Sequence, residues 1–333
     1  MSRRPPAVAR VLERVTATAR EHEMFAAGDL VLVMVSGGPD STCLLQSLHL
    51  LRRLLRIRPM AMHFDHGLRP DSARDAGYVR RLATRLGLPF VLRSAAGTAP
   101  QRGESVEAWA RTVRYAAATD AAHEAGAARI AVGHTLDDQA ETVLIQLIRG
   151  AGPHGIAGMR PAGRQMVRPL IDVRRSEVEA FCRSLRLRPR HDPTNAETRY
   201  LRNAIRLEGL PALERATGRD VKGPIARTAR LLQRELDLFG RPARPDGESR
   251  LAERVDDGFL LFLQRVPDEA FSARLVASIL RELDAPATEA SIGAVLDLAN
   301  GRPGRRRQLG GGLIAVRDKE YIRLSRTSPG DVP

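Results

Sequence analysis

Cysteine is nearly absent from this chain. Cys43 and Cys182 are the two present, far apart and outside any CxxC pair. That spacing argues against a disulfide framework, an iron–sulfur cluster or paired zinc ligands, and it fits a reducing, cytoplasmic setting. Aromatic residues make up 4% of the 333 residues, too few for a stacking platform that would hold a single strand. Lysine is scarcer still, with Lys222 and Lys319 alone. No apolar run approaches the roughly 18 residues that read as a bilayer span. The basic N-terminus lacks the apolar core and cleavage site of a signal peptide, and no membrane association is expected. Both GxxxxGK[ST] and GxGxxG are missing, which sets aside a Walker A loop and a Rossmann fingerprint.

What the chain does have is arginine. The formal net charge is +14 against 39 acidic residues. A genomic composition bias accounts for part of this. An excess of this size also attracts polyanions, and tRNA-sized RNA fits. The hydrophobic fraction of 43% and charged fraction of 28% are those of an ordinary globular protein. The length predicts about two domains.

The first half alternates strand and helix. Leu30–Val35 (LVLVMV) is a continuous apolar run, the pattern of a strand buried on both faces of a parallel sheet. Further strands are expected at Met60–Phe64, Phe90–Arg93 and Arg129–Val132, and a fifth at Met166–Leu170. Helices are expected at 8–24, 42–55, 72–86, 104–126, 136–149 and 174–185. This order predicts an α/β fold with a doubly wound, mainly parallel sheet. Arg188–Arg202 reads as polar and irregular. From about residue 216 the pattern changes to a smaller, mainly helical domain. It holds helices at 221–239, 272–283 and 289–298, a proline-rich break at 241–248, a strand at 259–263, and a C-terminal hairpin about Asp318 and Lys319. The expected domains are 1–215 and 216–333.

Between the first strand and its helix lies Ser36–Ser41 (SGGPDS). Gly37 and Gly38 let backbone approach an anion, and a helix N-terminus adds a positive dipole end. Ser36 and Ser41 can donate to phosphate oxygens. Asp40 repels phosphate unless a magnesium ion lies between them. The plainer alternative is a tight turn with a serine helix cap. In this context the chain resembles the N-type ATP pyrophosphatases, whose signature is SGGxDS and which split ATP between its α and β phosphates. The resemblance implies ATP as substrate, Mg2+ as its ion, and Ser36, Gly37, Gly38, Pro39, Asp40 and Ser41 as the ATP-binding loop.

Four further stretches resemble the tRNA(Ile)-lysidine synthetase family. His63–Arg69 (HFDHGLR) ends the second strand, with Asp65 where the family has asparagine; structural histidines are the alternative. Glu107–Tyr115 (EAWARTVRY) places Arg111 and Arg114 on one helical face, able to meet phosphate or an amino-acid carboxylate. Gly133–Gly152 (GHTLDDQAETVLIQLIRGAG) is the most specific. Asp137, Asp138 and Glu141 crowd one helical turn, where like charges repel until a cation offsets them; N-terminal helix capping is the alternative. Arg168–Arg206, with RPLIDVRRSEV, DPTN and RYLRNAIR, carries Arg199, Arg202 and Arg206 at i, i+3, i+7, one stripe suited to an RNA backbone or a nucleotide phosphate; a plain solvated face is the alternative.

The resemblance covers about residues 28–215 with specific motifs. It implies ATP-dependent attachment of free lysine to C2 of the wobble cytidine in the CAU-anticodon isoleucine tRNA, through an adenylated intermediate. Asp40, His134, Asp138 and Glu141 are then the catalytic candidates, and Asp40 the metal ligand. Asp137, Asp138, Glu141 and Arg114 would bind lysine. Arg149, Arg199, Arg202 and Arg206 would bind tRNA, with the second domain gripping the rest of it. A homodimer is compatible with this reading. A tRNA 2-thiocytidine synthetase is the alternative within the superfamily, weakened by the isolated cysteines. A glutamine-dependent small-molecule ligase leaves the charge without a role, and a non-catalytic RNA binder leaves the intact motifs without one.

Overall fold

The run LVLVM forms β1 (Leu30–Met34), and its alternating side chains serve two different cores. In this computed structural model, which describes residues 4–65, 67, 72–95, 100, 106–190, 201–240, 251–262 and 269–326, Val31 and Val33 face one cluster and Leu32 the other. The first cluster gathers α1 (Pro6–Glu21), α2 (Pro39–Leu51), α3 (Ser72–Leu86) and α7 (Arg175–Ser184) through Val11, Val15, Leu44, Leu48, Val79 and Phe181. The second packs α4 (Val106–Ala125) through Trp109, Ala118, Ala121 and Ala122. Burial on both faces is why this strand reads as an unbroken apolar run.

The other strands are β2 (Arg58–Asp65), β3 (Phe90–Ser94), β4 (Arg129–Ala131) and β5 (Met166–Val167), and the sheet order is β3-β2-β1-β4-β5. All four pairings are parallel. The chain winds outward from β1 to β3 and then returns to the other side of β1. The carboxyl ends of β1 and β4 therefore flank the switch point, where open α/β sheets bind ligands. The loop before α2 leaves β1, and the acid-rich α5 (Leu136–Ile148) follows β4, so the topology brings the two main motifs together. The doubly wound parallel sheet expected from the sequence is present.

Two compact units divide the chain, Met1–Gln233 and Arg234–Pro333, and α10 (Lys222–Gly240) runs through the boundary. One helical stretch was not foreseen. Within it α8 (Leu201–Ala204) passes through a π-helical turn, Ile205–Gly209, into α9 (Leu210–Thr217).

In the second unit, α11 (Glu269–Glu282) and α12 (Glu289–Ala299) share one core with a five-stranded antiparallel sheet. Its strands are β6 (Ala252–Val255), β7 (Gly258–Leu261), β8 (Arg306–Leu309), β9 (Leu313–Arg317) and β10 (Ile322–Arg326), in the order β6-β7-β10-β9-β8. The expected hairpin is β9–β10, closed where Asp318 N–H donates to Tyr321 O at 2.8 Å. The proline-rich break lies outside the described residues, as does most of the irregular stretch before Arg202. No described helix is long and apolar enough to cross a membrane.

Candidate active site

Strand β1 ends as Val35 N–H donates to Met62 O, and the chain turns through Ser36–Gly38 into α2. Gly37 adopts φ +95°, a left-handed angle that side chains resist. Gly38 is extended at the N-cap and Pro39 opens the helix. Ser41 closes the loop from inside. Its hydroxyl accepts from Ser36 N–H at 3.2 Å and donates to Gly38 O at 3.1 Å, with Ser36 Oγ 3.1 Å away. Thr42 Oγ1 and Arg190 N–H both donate to Gly37 O. Gly133, beyond β4, presses against this turn from the side. A Cβ there would stand 3.1 Å from the carbonyl carbon of Asp40 and the amide nitrogen of Ser41, tight enough that the turn would have to shift by a few tenths of an ångström.

Asp40 points from the first turn of α2 toward α5. Burial, with Asp138 adding its charge, pushes the Asp40 carboxyl up to about 7. Arg175 Nε lies 3.8 Å from its Oδ2 and opposes that rise, while Oδ1 is buried without a hydrogen-bond partner. A carboxylate oxygen left open in this way fits a cation. No group of three side chains able to hold a metal occurs among the described residues.

On α5, Thr135 caps the helix. Asp138 Oδ2 accepts from both Thr135 N–H and Thr135 Oγ1 at 2.8 Å. Its other oxygen meets Arg175 Nη2 at 3.0 Å and Arg206 Nη2 at 3.2 Å. Glu141 is fully buried. Its Oε1 accepts from Arg206 Nε at 2.6 Å and Arg175 Nη1 at 3.3 Å; its Oε2 accepts from Arg202 Nε and Arg206 Nη2, both at 2.9 Å. Burial works to protonate Asp138, but Arg175 and Arg202 outweigh it and hold the carboxyl below the usual range. Three guanidiniums thus face Asp138, Glu141 and, through Arg175, Asp40, so the cluster is close to charge-balanced.

Asp137 faces the other way. Its Oδ2 accepts from Arg175 N–H at 2.8 Å, capping the start of α7, and Lys222 Nζ lies 3.8 Å from its Oδ1. It therefore places Arg175 through the backbone, and its charge also bears on the Arg175 guanidinium. His134, one residue before the cap, accepts from Arg168 Nε at 3.2 Å through Nδ1. Arg114 sits half-buried on α4 with its Nε buried and unpartnered, and Arg111 stands over the Tyr115 ring at 4.9 Å.

The sequence expectations thus divide. Ser36–Ser41, Asp138, Glu141 and His134 converge at the switch point. Arg202 and Arg206, expected to face RNA, turn inward onto Glu141, because a buried carboxylate demands compensating charge. Arg149 is exposed at the C-terminal end of α5. Arg199 and His66 lie outside the described residues. His63 is buried and donates through Nδ1 to Val35 O at 2.8 Å, a contact that ties β2 to the nucleotide loop. Sequence reasoning missed Arg168, Arg175, Lys222 and Gly133 as site residues. The first two lie in the RPLIDVRRSEV stretch, where nothing local separates a buried arginine from a solvated one.

The profile of the ATP-binding PP-loop domain matches residues 9–213. A tRNA(Ile)-lysidine synthase of Thermobifida fusca is 39% identical, over 72% of this chain and 72% of its own length. The chain belongs to the tRNA(Ile)-lysidine synthase family. Similar proteins of that name from Dehalococcoides mccartyi, 38% identical over 81% of this chain, and Symbiobacterium thermophilum, 42% over 70%, are longer. The chain spans 59% and 50% of their lengths. Among solved structures, a U34-tRNA thiolase from Methanococcus maripaludis covers 68% of this chain and 79% of its own, with TM-score 0.58 and 18% identity. That likeness concerns the fold alone.

Proposed function

We propose that this chain is a tRNA(Ile)-lysidine synthase, joining free lysine to C2 of the wobble cytidine of the CAU-anticodon isoleucine tRNA with ATP as the activating substrate. The cytoplasm, where that tRNA is used, is its setting. The observation that carries the reading is Arg175, which reaches Asp40 on the nucleotide loop and Asp138 and Glu141 on α5. An activating centre and an accepting centre then lie within the span of one side chain, as a two-step transfer needs.

The C2 oxygen of cytosine is a poor leaving group, so ATP adenylates it first and pyrophosphate departs. Ser36, Gly37, Gly38, Pro39 and Ser41 would hold that pyrophosphate against the positive end of α2. Asp40, with its open Oδ1, would hold Mg2+, whose charge offsets that of the phosphates. The lysine ε-ammonium then gives up a proton, to Glu141 or to solvent, and the neutral amine displaces AMP from C2. Asp138 and Glu141 would anchor the ammonium in place of part of the guanidinium charge they now hold. The depressed pKa of Asp138 suits an anchor better than a proton acceptor. Arg114, with a free Nε, would take the lysine carboxylate. Asp137 keeps a supporting role through α7.

The test is pyrophosphate release from ATP with the CAU-anticodon isoleucine tRNA, followed by lysine incorporation. Absence of both would sink the proposal. Incorporation of sulfur in place of lysine would favour the thiocytidine reading. Asp40→Ala should abolish adenylation while tRNA binding persists; retained activity would remove Asp40 from its role.

A further inference from the structure

His134 and Arg168 stand at the carboxyl ends of neighbouring parallel strands, β4 and β5, over the switch point. Arg168 is fixed on two sides. Its Nη1 donates to Arg160 O at 2.7 Å, and its Nη2 lies 3.5 Å from Met166 Sδ. The remaining Nε–H points at His134 Nδ1, 3.2 Å away. A guanidinium has five N–H donors and no acceptor. The nitrogen facing it must therefore carry a lone pair, and the ring proton must sit on Nε2.

We infer that Arg168 is a positioning residue that locks His134 as the neutral Nε2–H tautomer, so that His134 serves the transfer as a hydrogen-bond donor to an oxygen of the reacting group and not as a proton acceptor.

The surroundings agree. The charged groups facing the ring are Asp138 on α5, Arg168 after β5, Arg202 on α8 and Arg111 on α4. Burial, with these three cations against one carboxylate, holds the imidazole neutral, its pKa well below the ordinary value. A base at this position would need a free lone pair, and Arg168 occupies the one the ring has. A donor N–H held in place costs no reorganisation when negative charge develops on an oxygen. The identity of that oxygen, on phosphate or on C2 of the base, rests on the proposed function; the tautomer does not.

The experiment is histidine-selective 15N NMR of the full chain from pH 5.5 to 8.5, with His134→Ala assigning the resonance, beside the rate of tRNA-dependent pyrophosphate release. In the wild type, His134 should show a protonated Nε2, a bare Nδ1, and no titration between pH 6 and 7. Arg168→Met removes the donor and the charge. Its ring should divide between the two neutral tautomers, because burial, Arg202 and Arg111 still keep it uncharged. Its kcat should fall about two- to tenfold, less than the roughly hundredfold cost of deleting a donor, with the KM for ATP little changed. Arg168→Lys, which keeps a donor and a charge, should restore the single Nε2–H tautomer and most of the kcat. A proton on Nδ1 in the wild type, titration of wild-type His134 between pH 6 and 7, or an Arg168→Met ring that keeps the Nε2–H tautomer alone would overturn the inference. If wild type released no pyrophosphate, the proposed function would fail, and the NMR would still decide the tautomer.

Discussion

Glu141 has no solvent and four guanidinium nitrogens around it. Its charge offsets that of Arg175, Arg202 and Arg206, so Glu141→Gln keeps the shape and removes the compensation. A loss of about 3–5 kcal/mol is expected, the usual cost of breaking a buried ion pair from one side. Urea unfolding would measure it. Arg206→Met, which leaves two cations on two acids, should cost less; the reverse order would show that Arg206 carries the cluster. Asp40 gives a pH signature. Its folded pKa of about 7 lies above the unfolded 3.8, so its contribution to stability is complete below pH 3.8 and is lost as pH rises through 7. Asp40→Asn should therefore stabilise the ligand-free protein more at pH 8 than at pH 5, read as the difference in unfolding midpoint at each pH. An equal gain at both would mean that Asp40 titrates normally.

At the scale of elements, α7 starts where it does because Asp137 accepts the first helical N–H, and the same contact aims Arg175 at the acids of α5. Asp137→Ala should cost about 1 kcal/mol, the value of a missing cap, and also reduce turnover. Asp137→Asn, which still accepts, should recover most of the stability. Gly133 works through a neighbouring loop. Gly133→Ala sets a methyl against the backbone of Asp40 and Ser41, and should raise the KM for ATP on the order of tenfold to a hundredfold by shifting the nucleotide loop. Most of this architecture was legible in the sequence. The β1 run, the SGGPDS turn and α3 (Ser72–Leu86) carry strong local patterns, and the alternation of strand and helix pointed to the sheet. The closure of the site was not legible, because it depends on Arg175, Arg202 and Arg206 reaching α5 from more than thirty residues away, which no local pattern encodes. The stripe of Arg202 and Arg206 was visible; which way it faced was decided by the buried Glu141.

At the scale of the molecule, the arginine excess has two destinations. Part of it lies inside the first unit, on Glu141 and Asp138. Another part stands exposed on the second unit, where Arg305, Arg306 and Arg307 lie at and beside β8, an edge strand of its sheet. Replacing these three by glutamine should weaken tRNA binding and lower its log–log salt slope by about 1 for each phosphate that is no longer neutralised, with the KM for ATP unchanged. An unchanged slope would place the RNA-binding surface elsewhere. The second unit was harder to foresee because its strands are short: β6 and β7 are four residues each and take their stability from non-local pairing. The cluster around Glu141 also bears on how the chain is made. Glu141 leaves the ribosome 61 and 65 residues before Arg202 and Arg206. At about 5–20 residues per second, that is a delay of roughly 3–13 s. Through that interval the nascent domain holds a carboxylate whose charge is not yet fully compensated, so this part of the first unit closes only when Arg202 and Arg206 arrive.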